Sequence, residues 1–338
     1  MSTTFRTVAV IGAGAWGTAL AQTAARAGLA ARLWAHEPAT VAEINARHTN
    51  QVFLKDVALD PSISATGDLA TCLAGADIAL FATPAQHLRA SLVRASAALA
   101  AGTPIVLATK GIEIGSGALM SEIAAATAPG HAVAILTGPT FAREVALAQP
   151  TAVTLACADA ALGQALAQAL ATPHFRVYRN DDVVGAQVGG AVKNVVALGC
   201  GIVAGLGLGD NARAAVMTRG LAEMVRLGLA LGGRAETLMG LSGLGDLALT
   251  CNNDQSRNMR FGRALGQGLA PAQALGDPAL GLAHAVIEGI EGAASVGALA
   301  ASKKIDMPIV AALDAILHHG AGVAPTVQAL LARPLKDE

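Results

Sequence analysis

Aromatic side chains are scarce in this chain: one Tyr, two Trp and six Phe make up 3% of 338 residues. Charge is scarce too, at 14% of residues with a formal net charge of -1. With no basic stripe and few rings on which a base could stack, nucleic acid is excluded as the main partner and small molecules are favoured. Four cysteines (Cys72, Cys157, Cys200, Cys251) are widely separated, form no CxxC pair and lie mostly in apolar surroundings. That reads as reduced core thiols in a reducing compartment rather than a disulfide framework. The eight histidines show no HExxH or comparable spacing, so no metal is expected, and His318-His319 reads as a solvated helix end. Met1 to Thr7 has one Arg and no apolar core of a secretion signal, so a cytoplasmic location is expected.

What is abundant is alanine and other apolar residues, 53% hydrophobic in all. Alanine is a strong helix former, so the excess points to closely packed helices. The length favours two domains.

Thr7 to Ile11 reads as a strand, followed at once by Gly12-Ala13-Gly14-Ala15-Trp16-Gly17 and a helical TALAQTAARAG. Strand, G-x-G-x-x-G and helix in that order are the context of a dinucleotide site: Gly12 for the tight turn, Gly14 for approach of a pyrophosphate, Gly17 for helix–strand packing, with the helix N-terminus facing the phosphates. Glycines that merely make a βα turn are the alternative. Further strands are expected at 31–34, 78–82, 104–108, 133–136, 151–157 and 175–178, with a helix at 86–99 among the segments between them. This alternation predicts a mostly parallel sheet with helices on both faces, and ligands beyond the strand C-termini. Loops there carry Thr83-Pro84, Lys110, and Gly138 to Ala142. Lys110 is placed to meet a substrate anion or carbonyl, or is a solvated loop lysine. The second strand ends at Ala35-His36, where an NAD-selective site usually has a carboxylate. His36 could face a 2'-phosphate or be an exposed loop residue, so both NADPH and NADH stay open.

The chain then runs VVGAQVGGAVKNVVALGCGIVAGLGLGD, in which Lys193 is the only charged residue between Asp182 and Asp210. It reads as the central helix of a core, too Gly-rich after Asn194 for a membrane span. A lysine there needs a partner or must reach water. No β pattern returns afterwards; helices are expected at 212–231, 259–266, 282–302 and 309–318. A polar cluster, Gly240 to Gly262, places Asp246 after a Gly-rich turn and opens a helix with Ser256-Arg257-Asn258. The latter would receive a phosphate dianion, or be a Ser cap followed by solvated residues. Asp246 is a turn residue or the carboxylate that Lys193 needs. The domains expected are 1–185, a Rossmann-type α/β domain, and 186–338, all-α.

These motifs, GAGAWGTALA, TKGIE, LTGPTFAREVA, KNVVALGCGIVAGLGLGDNARAAVMTRG, GLGDLALTC, SRN and VIEG, resemble the bacterial NAD(P)-dependent glycerol-3-phosphate dehydrogenases over nearly the whole chain. The resemblance implies reversible reduction of dihydroxyacetone phosphate to sn-glycerol 3-phosphate for phospholipid synthesis. It implies Lys193 as proton donor or acceptor. It also implies nucleotide contacts from Ala15, Trp16, His36, Lys110, Ala142, Arg257, Val286 and Glu288, and substrate contacts from Lys110, Gly138, Thr140, Lys193, Asp246, Ser256, Arg257 and Asn258. Departures are Ala15 and Thr140 where the family often has Ser, and His36 where it often has Arg. A β-hydroxyacid dehydrogenase shares this plan, but its carboxylate substrate has no use for the Ser256-Arg257-Asn258 receptor. A nucleotide-binding sensor is the non-enzymatic reading, opposed by the presence of Lys110, Lys193 and Asp246 together. The oligomeric state stays open, a homodimer being compatible with the chain.

Overall fold

The computed structural model describes residues 5–282 and 286–334. The chain forms two compact units, Met1–Lys110 with Ala118–Gln187, and Gly111–Gly117 with Val188–Glu338.

The first unit is built on one eight-stranded sheet: β1 (Thr7–Ile11), β2 (Ala30–Trp34), β3 (Ser64–Thr66), β4 (Ile78–Phe81), β5 (Ile105–Leu107), β6 (Val133–Thr137), β7 (Thr151–Cys157) and β8 (Phe175–Asn180). Their order is β3-β2-β1-β4-β5-β6-β7-β8. The strand direction of winding reverses between β1 and β4, the switch point where α/β sheets bind ligands. Both faces of the sheet are covered. Val8 and Val10 enter one buried cluster while Ala9 and Ile11 enter the other, the period of two that a doubly covered strand requires. All pairs are parallel except β6 with β7. The connection between those two contains only a five-residue helix, Ala142–Ala146. Such a helix rises about 7.5 Å, less than half the roughly 17 Å of a five-residue strand, so it cannot carry the chain back along the sheet. β7 therefore starts where β6 ends and runs the other way.

Strand β3 escapes a sequence reading because Ser64-Ala65-Thr66 is only three residues long, too short for a period of two to stand out. It is held from outside: the Asn45 amide donates to the Ala65 carbonyl at 2.9 Å, and the Ala65 N–H donates back to Asn45 Oδ1 at 2.8 Å.

Among the described residues, no strand lies in the second unit. The Val183–Gly205 helix is long and apolar enough to cross a membrane, yet 89% of that apolar window is buried inside the structure. Its glycines explain how. A methyl at Gly201 or Gly205 would overlap the Met259 or Arg263 carbonyl, and a methyl at Gly262 or Gly266 would overlap the Leu198 or Ile202 carbonyl. Two glycines on each helix thus let Val183–Gly205 and Arg257–Gly266 touch backbone to backbone. Elsewhere Glu223, 1% exposed on the Gly209–Ala230 helix, accepts from the Ile309 and Val310 N–H groups at 2.7 and 3.1 Å, satisfying the first turn of Pro308–His318.

Two expectations need correction. The Gly-rich stretch before Asp246 is a π-helical turn, Leu241–Gly245, that runs directly into the Asp246–Cys251 helix. Gly245 N–H bonds to the Gly240 carbonyl, five residues back, and Gly243 admits the Leu238 carbonyl where a side chain would sit. The helix expected at 282–302 begins at Glu288, and residues 283–285 of that expectation lie outside the described residues.

Candidate active site

In the first unit the candidate residues lie at the C-terminal ends of parallel strands. Gly12 follows β1 with φ +114°, a conformation open to glycine and costly for other residues. A methyl on Gly17 would overlap the Gly12 carbonyl oxygen, so helix and turn approach only because residue 17 is glycine. Gly14 has an ordinary φ of -64°, and no atom lies within 4 Å of where its side chain would begin. A methyl there would meet no atom of the described residues. Ala15 and Trp16 open the Ala15–Arg26 helix; Ala142 opens Ala142–Ala146. His36 is exposed after β2, its ring centroid 6.3 Å from that of Trp34. Lys110 follows β5 and donates to the Gly138 carbonyl at 3.3 Å. Gly138 has φ +140°, and a side chain there would crowd Val153. Thr140 donates back to the Gly138 carbonyl at 3.2 Å.

In the second unit Lys193 is 6% exposed and Asp246 0%. Lys193 Nζ donates to Asp246 Oδ1 at 2.6 Å and to Thr250 Oγ1 at 3.1 Å, while the Thr250 hydroxyl donates to the Asp246 carbonyl at 2.6 Å. The ammonium is thus taken out of water with a carboxylate beside it and a hydroxyl steadied by the same helix. Thr250 was absent from the sequence reading. Its signal was its place four residues after Asp246, on the same helical face. The neighbouring Cys251 thiol is pushed well above the usual range by its contact with Cys200 and by burial, which leaves it protonated and unreactive.

Ser256 caps the Arg257–Gly266 helix, its Oγ accepting from the Met259 N–H at 3.2 Å. The hydroxyl proton is not consumed by that bond. Arg257 is exposed, and Asn258 is 7% exposed. Burial, and then the charge of Arg257, lower the Arg260 guanidinium below its ordinary value. Positive charge accumulates at a helix N-terminus, the arrangement that receives an anion. Val286 is exposed, and Glu288 begins the Glu288–Ser302 helix.

The model of the NAD-dependent glycerol-3-phosphate dehydrogenase N-terminus matches residues 7–177, and that of the C-terminus matches residues 182–328. The chain belongs to the NAD-dependent glycerol-3-phosphate dehydrogenase family. It is similar to the glycerol-3-phosphate dehydrogenases (NAD(P)+) of Rhodospirillum rubrum, 56% identical over 98% of this chain and 93% of that one, and of Caulobacter vibrioides, 55% identical over 99% of each. The crystal structure of glycerol-3-phosphate dehydrogenase from Coxiella burnetii superposes with a TM-score of 0.92 at 40% identity, over 97% of this chain and 99% of that one.

Members of this glycerol-3-phosphate dehydrogenase family are oxidoreductases that use NAD(P), and the first unit fits such a dinucleotide on its own geometry. Open space lies over Gly14, where a pyrophosphate would rest against backbone. Buried Trp16 Nε1, Thr83 Oγ1 and Thr137 Oγ1, all at or beyond the C-terminal ends of the strands, find no hydrogen-bond partner among the described residues. Polar atoms so placed suit a polar ligand laid across the strand ends.

Proposed function

We propose that this chain interconverts dihydroxyacetone phosphate and sn-glycerol 3-phosphate with Lys193 as the proton donor in reduction and acceptor in oxidation. The buried Lys193–Asp246–Thr250 cluster carries this reading. When bound, the reduced nicotinamide supplies a hydride to the substrate C2 carbonyl. Charge that develops on the carbonyl oxygen needs a nearby donor, and an ammonium held at fixed geometry provides both the field and the proton. Asp246 keeps Lys193 oriented and offsets the cost of its burial; Thr250 limits its rotation. Ser256, Arg257 and Asn258 at a helix N-terminus suit the substrate phosphate, which would fix the direction of the carbonyl. Gly12, Gly14, Ala15, Trp16, Gly17, His36, Lys110, Ala142, Val286 and Glu288 are assigned to the nucleotide, with Arg257 serving both ligands. Lys110, Gly138 and Thr140 are assigned to the substrate. The product is the backbone of glycerophospholipids, which places the reaction in their synthesis. Four buried thiols with no disulfide agree with a cytoplasmic enzyme.

Absorbance at 340 nm with dihydroxyacetone phosphate and NADPH, then NADH, tests the reaction. Arg257→Ala tests the phosphate assignment. Loss of that charge-assisted contact should cost about 2 to 4 kcal/mol in kcat/KM for the phosphorylated substrate and leave unphosphorylated dihydroxyacetone nearly unchanged. Equal losses on both substrates would remove Arg257 from the phosphate site.

A further inference from the structure

The residue after Lys193 has no role in the mechanism above, yet its side chain is the middle of a buried hydrogen-bonded chain. Asn194 is 4% exposed. Its Oδ1 accepts from Asn258 Nδ2 at 2.9 Å, and its Nδ2 donates to Glu288 Oε2 at 2.8 Å. Asn258 Oδ1 in turn accepts from the Gly289 N–H at 2.9 Å. Gly289 must be glycine for this to close, because a side chain there would lie 2.6 Å from the Asn194 carbonyl and 2.7 Å from Asn258 Oδ1. Three helices, Val183–Gly205, Arg257–Gly266 and Glu288–Ser302, meet through these four groups.

The direction of each bond is determined. A carboxylate at Glu288 can only accept, so the Asn194 amide nitrogen must point to it and the Asn194 oxygen must point to Asn258. That assigns the Asn258 nitrogen as donor and its oxygen as acceptor for Gly289. One N–H of the Asn258 amide remains beyond the bond to Asn194, and its orientation is set by the chain. Glu288 keeps its second oxygen, with the carboxylate plane held by Asn194.

We propose that Asn194 is a positioning residue that locks Asn258 for the substrate phosphate and Glu288 for the nucleotide at the same time, so that one side chain sets the geometry of both binding groups. This rests on the assignment of Asn258 and Glu288 made above. A closed polar chain of this kind is cooperative and intolerant of one missing member, since removal strands the partners in a buried place. The same side chain lies beside Lys193 in sequence, yet touches neither Asp246 nor Thr250 in the bonds it makes, so its loss acts on binding and not on proton transfer.

The test uses the full-length enzyme. Asn194→Ala should raise KM for dihydroxyacetone phosphate and the Kd for NADPH together, each by about tenfold, the scale of one buried hydrogen bond lost with its partner unsatisfied. Turnover at saturating levels of both ligands should fall less than threefold. The deciding variant is a swap. Asn194→Asp alone places two carboxylates in contact and should be worse than Asn194→Ala. Asn194→Asp combined with Glu288→Gln keeps the net charge and every hydrogen bond, with the direction of one reversed, and should return KM for dihydroxyacetone phosphate to within about threefold of wild type. Because Glu288→Gln also changes the nucleotide contact, the Kd for NADPH need not recover in the swap.

An Asn194→Ala enzyme whose thermal stability falls while both binding constants stay normal would make the chain purely structural and overturn the proposal. A swap no better than Asn194→Asp would overturn it too. Arg257→Ala, measured in parallel, separates this from the underlying assignment: normal KM in Arg257→Ala would refute the phosphate site, whereas a raised KM there with normal binding in Asn194→Ala refutes only the positioning role.

Discussion

Lys193→Met deletes the proton and charge while keeping the length of the stem, and from sequence alone the fold should tolerate it. The structure requires a different outcome. Asp246 is 0% exposed and lies 2.6 Å from Lys193 Nζ, so the substitution leaves a carboxylate in the core without its cation. Breaking a buried pair from one side costs about 3 to 5 kcal/mol, far more than the pair itself contributes over an apolar replacement. For a unit of this size that is roughly 6 to 20 °C in the transition temperature. Asp246→Asn should cost a similar amount, because it strands the ammonium instead. Lys193→Met with Asp246→Asn removes both charges, and its stability should lie within about 2 kcal/mol of wild type, well short of the sum of the two single changes. Activity should not follow stability: kcat should fall at least about a hundredfold in all three variants, and the double variant should be stable and inactive. Urea unfolding and 340 nm turnover on the same preparations give both quantities. Single variants that each lose under about 1 kcal/mol would show that the pair is not energetically buried. A near-normal kcat in Lys193→Met would move proton transfer elsewhere, with Lys110 the next candidate.

Gly14→Ala and Gly17→Ala should separate binding from folding. The first meets open space and should leave stability within about 0.5 kcal/mol while weakening NADPH by at least about tenfold, whereas the second collides with the Gly12 carbonyl and should destabilise the first unit; NADPH titration and thermal melts decide, and undiminished NADPH binding by Gly14→Ala would refute the pyrophosphate placement. His36→Glu puts a carboxylate after β2, where it would accept from a ribose 2'-hydroxyl and repel a 2'-phosphate, so the ratio of kcat/KM for NADPH over NADH should fall by about tenfold or more; an unchanged ratio would remove His36 from cofactor selection. Burial pushes Glu223 up from 4.5 to about 7, only partly opposed by the Ile309 and Val310 N–H groups and by Arg226, with Asp306 adding to the rise. The folded chain holds this proton longer than the unfolded one, so stability present below pH 4.5 is lost as pH rises to about 7, by about 3 kcal/mol. Glu223→Gln should therefore gain on wild type by that amount between pH 4.5 and pH 8 in urea unfolding, and a constant difference across the range would refute the burial argument.

Local chemistry in the sequence determined a good deal. A β-branched run, three spaced glycines and a helical segment specify a tight βα turn, because Gly12 and Gly17 answer steric demands of the turn while Gly14 leaves its backbone open. The alternating strands and helices specify a mostly parallel sheet, and one lysine among 26 uncharged neighbours specifies a cation that must find a partner or reach water. Tertiary structure decided the rest, for reasons that no window of sequence contains. Ser64-Ala65-Thr66 is a strand only because Asn45 and β2 make it one. Lys193 meets Asp246 and Thr250 across 53 and 57 residues because the π-helical turn that precedes Asp246 packs its Ser242 carbonyl onto Gly189 of the Lys193 helix, where a side chain would sit. Asn194, unremarkable beside Lys193 in the sequence, gains its place only when Asn258 and Glu288, 64 and 94 residues on, are folded against it. Direction of a hydrogen bond between distant side chains depends on the third group each one touches, and that is a property of the packed chain alone.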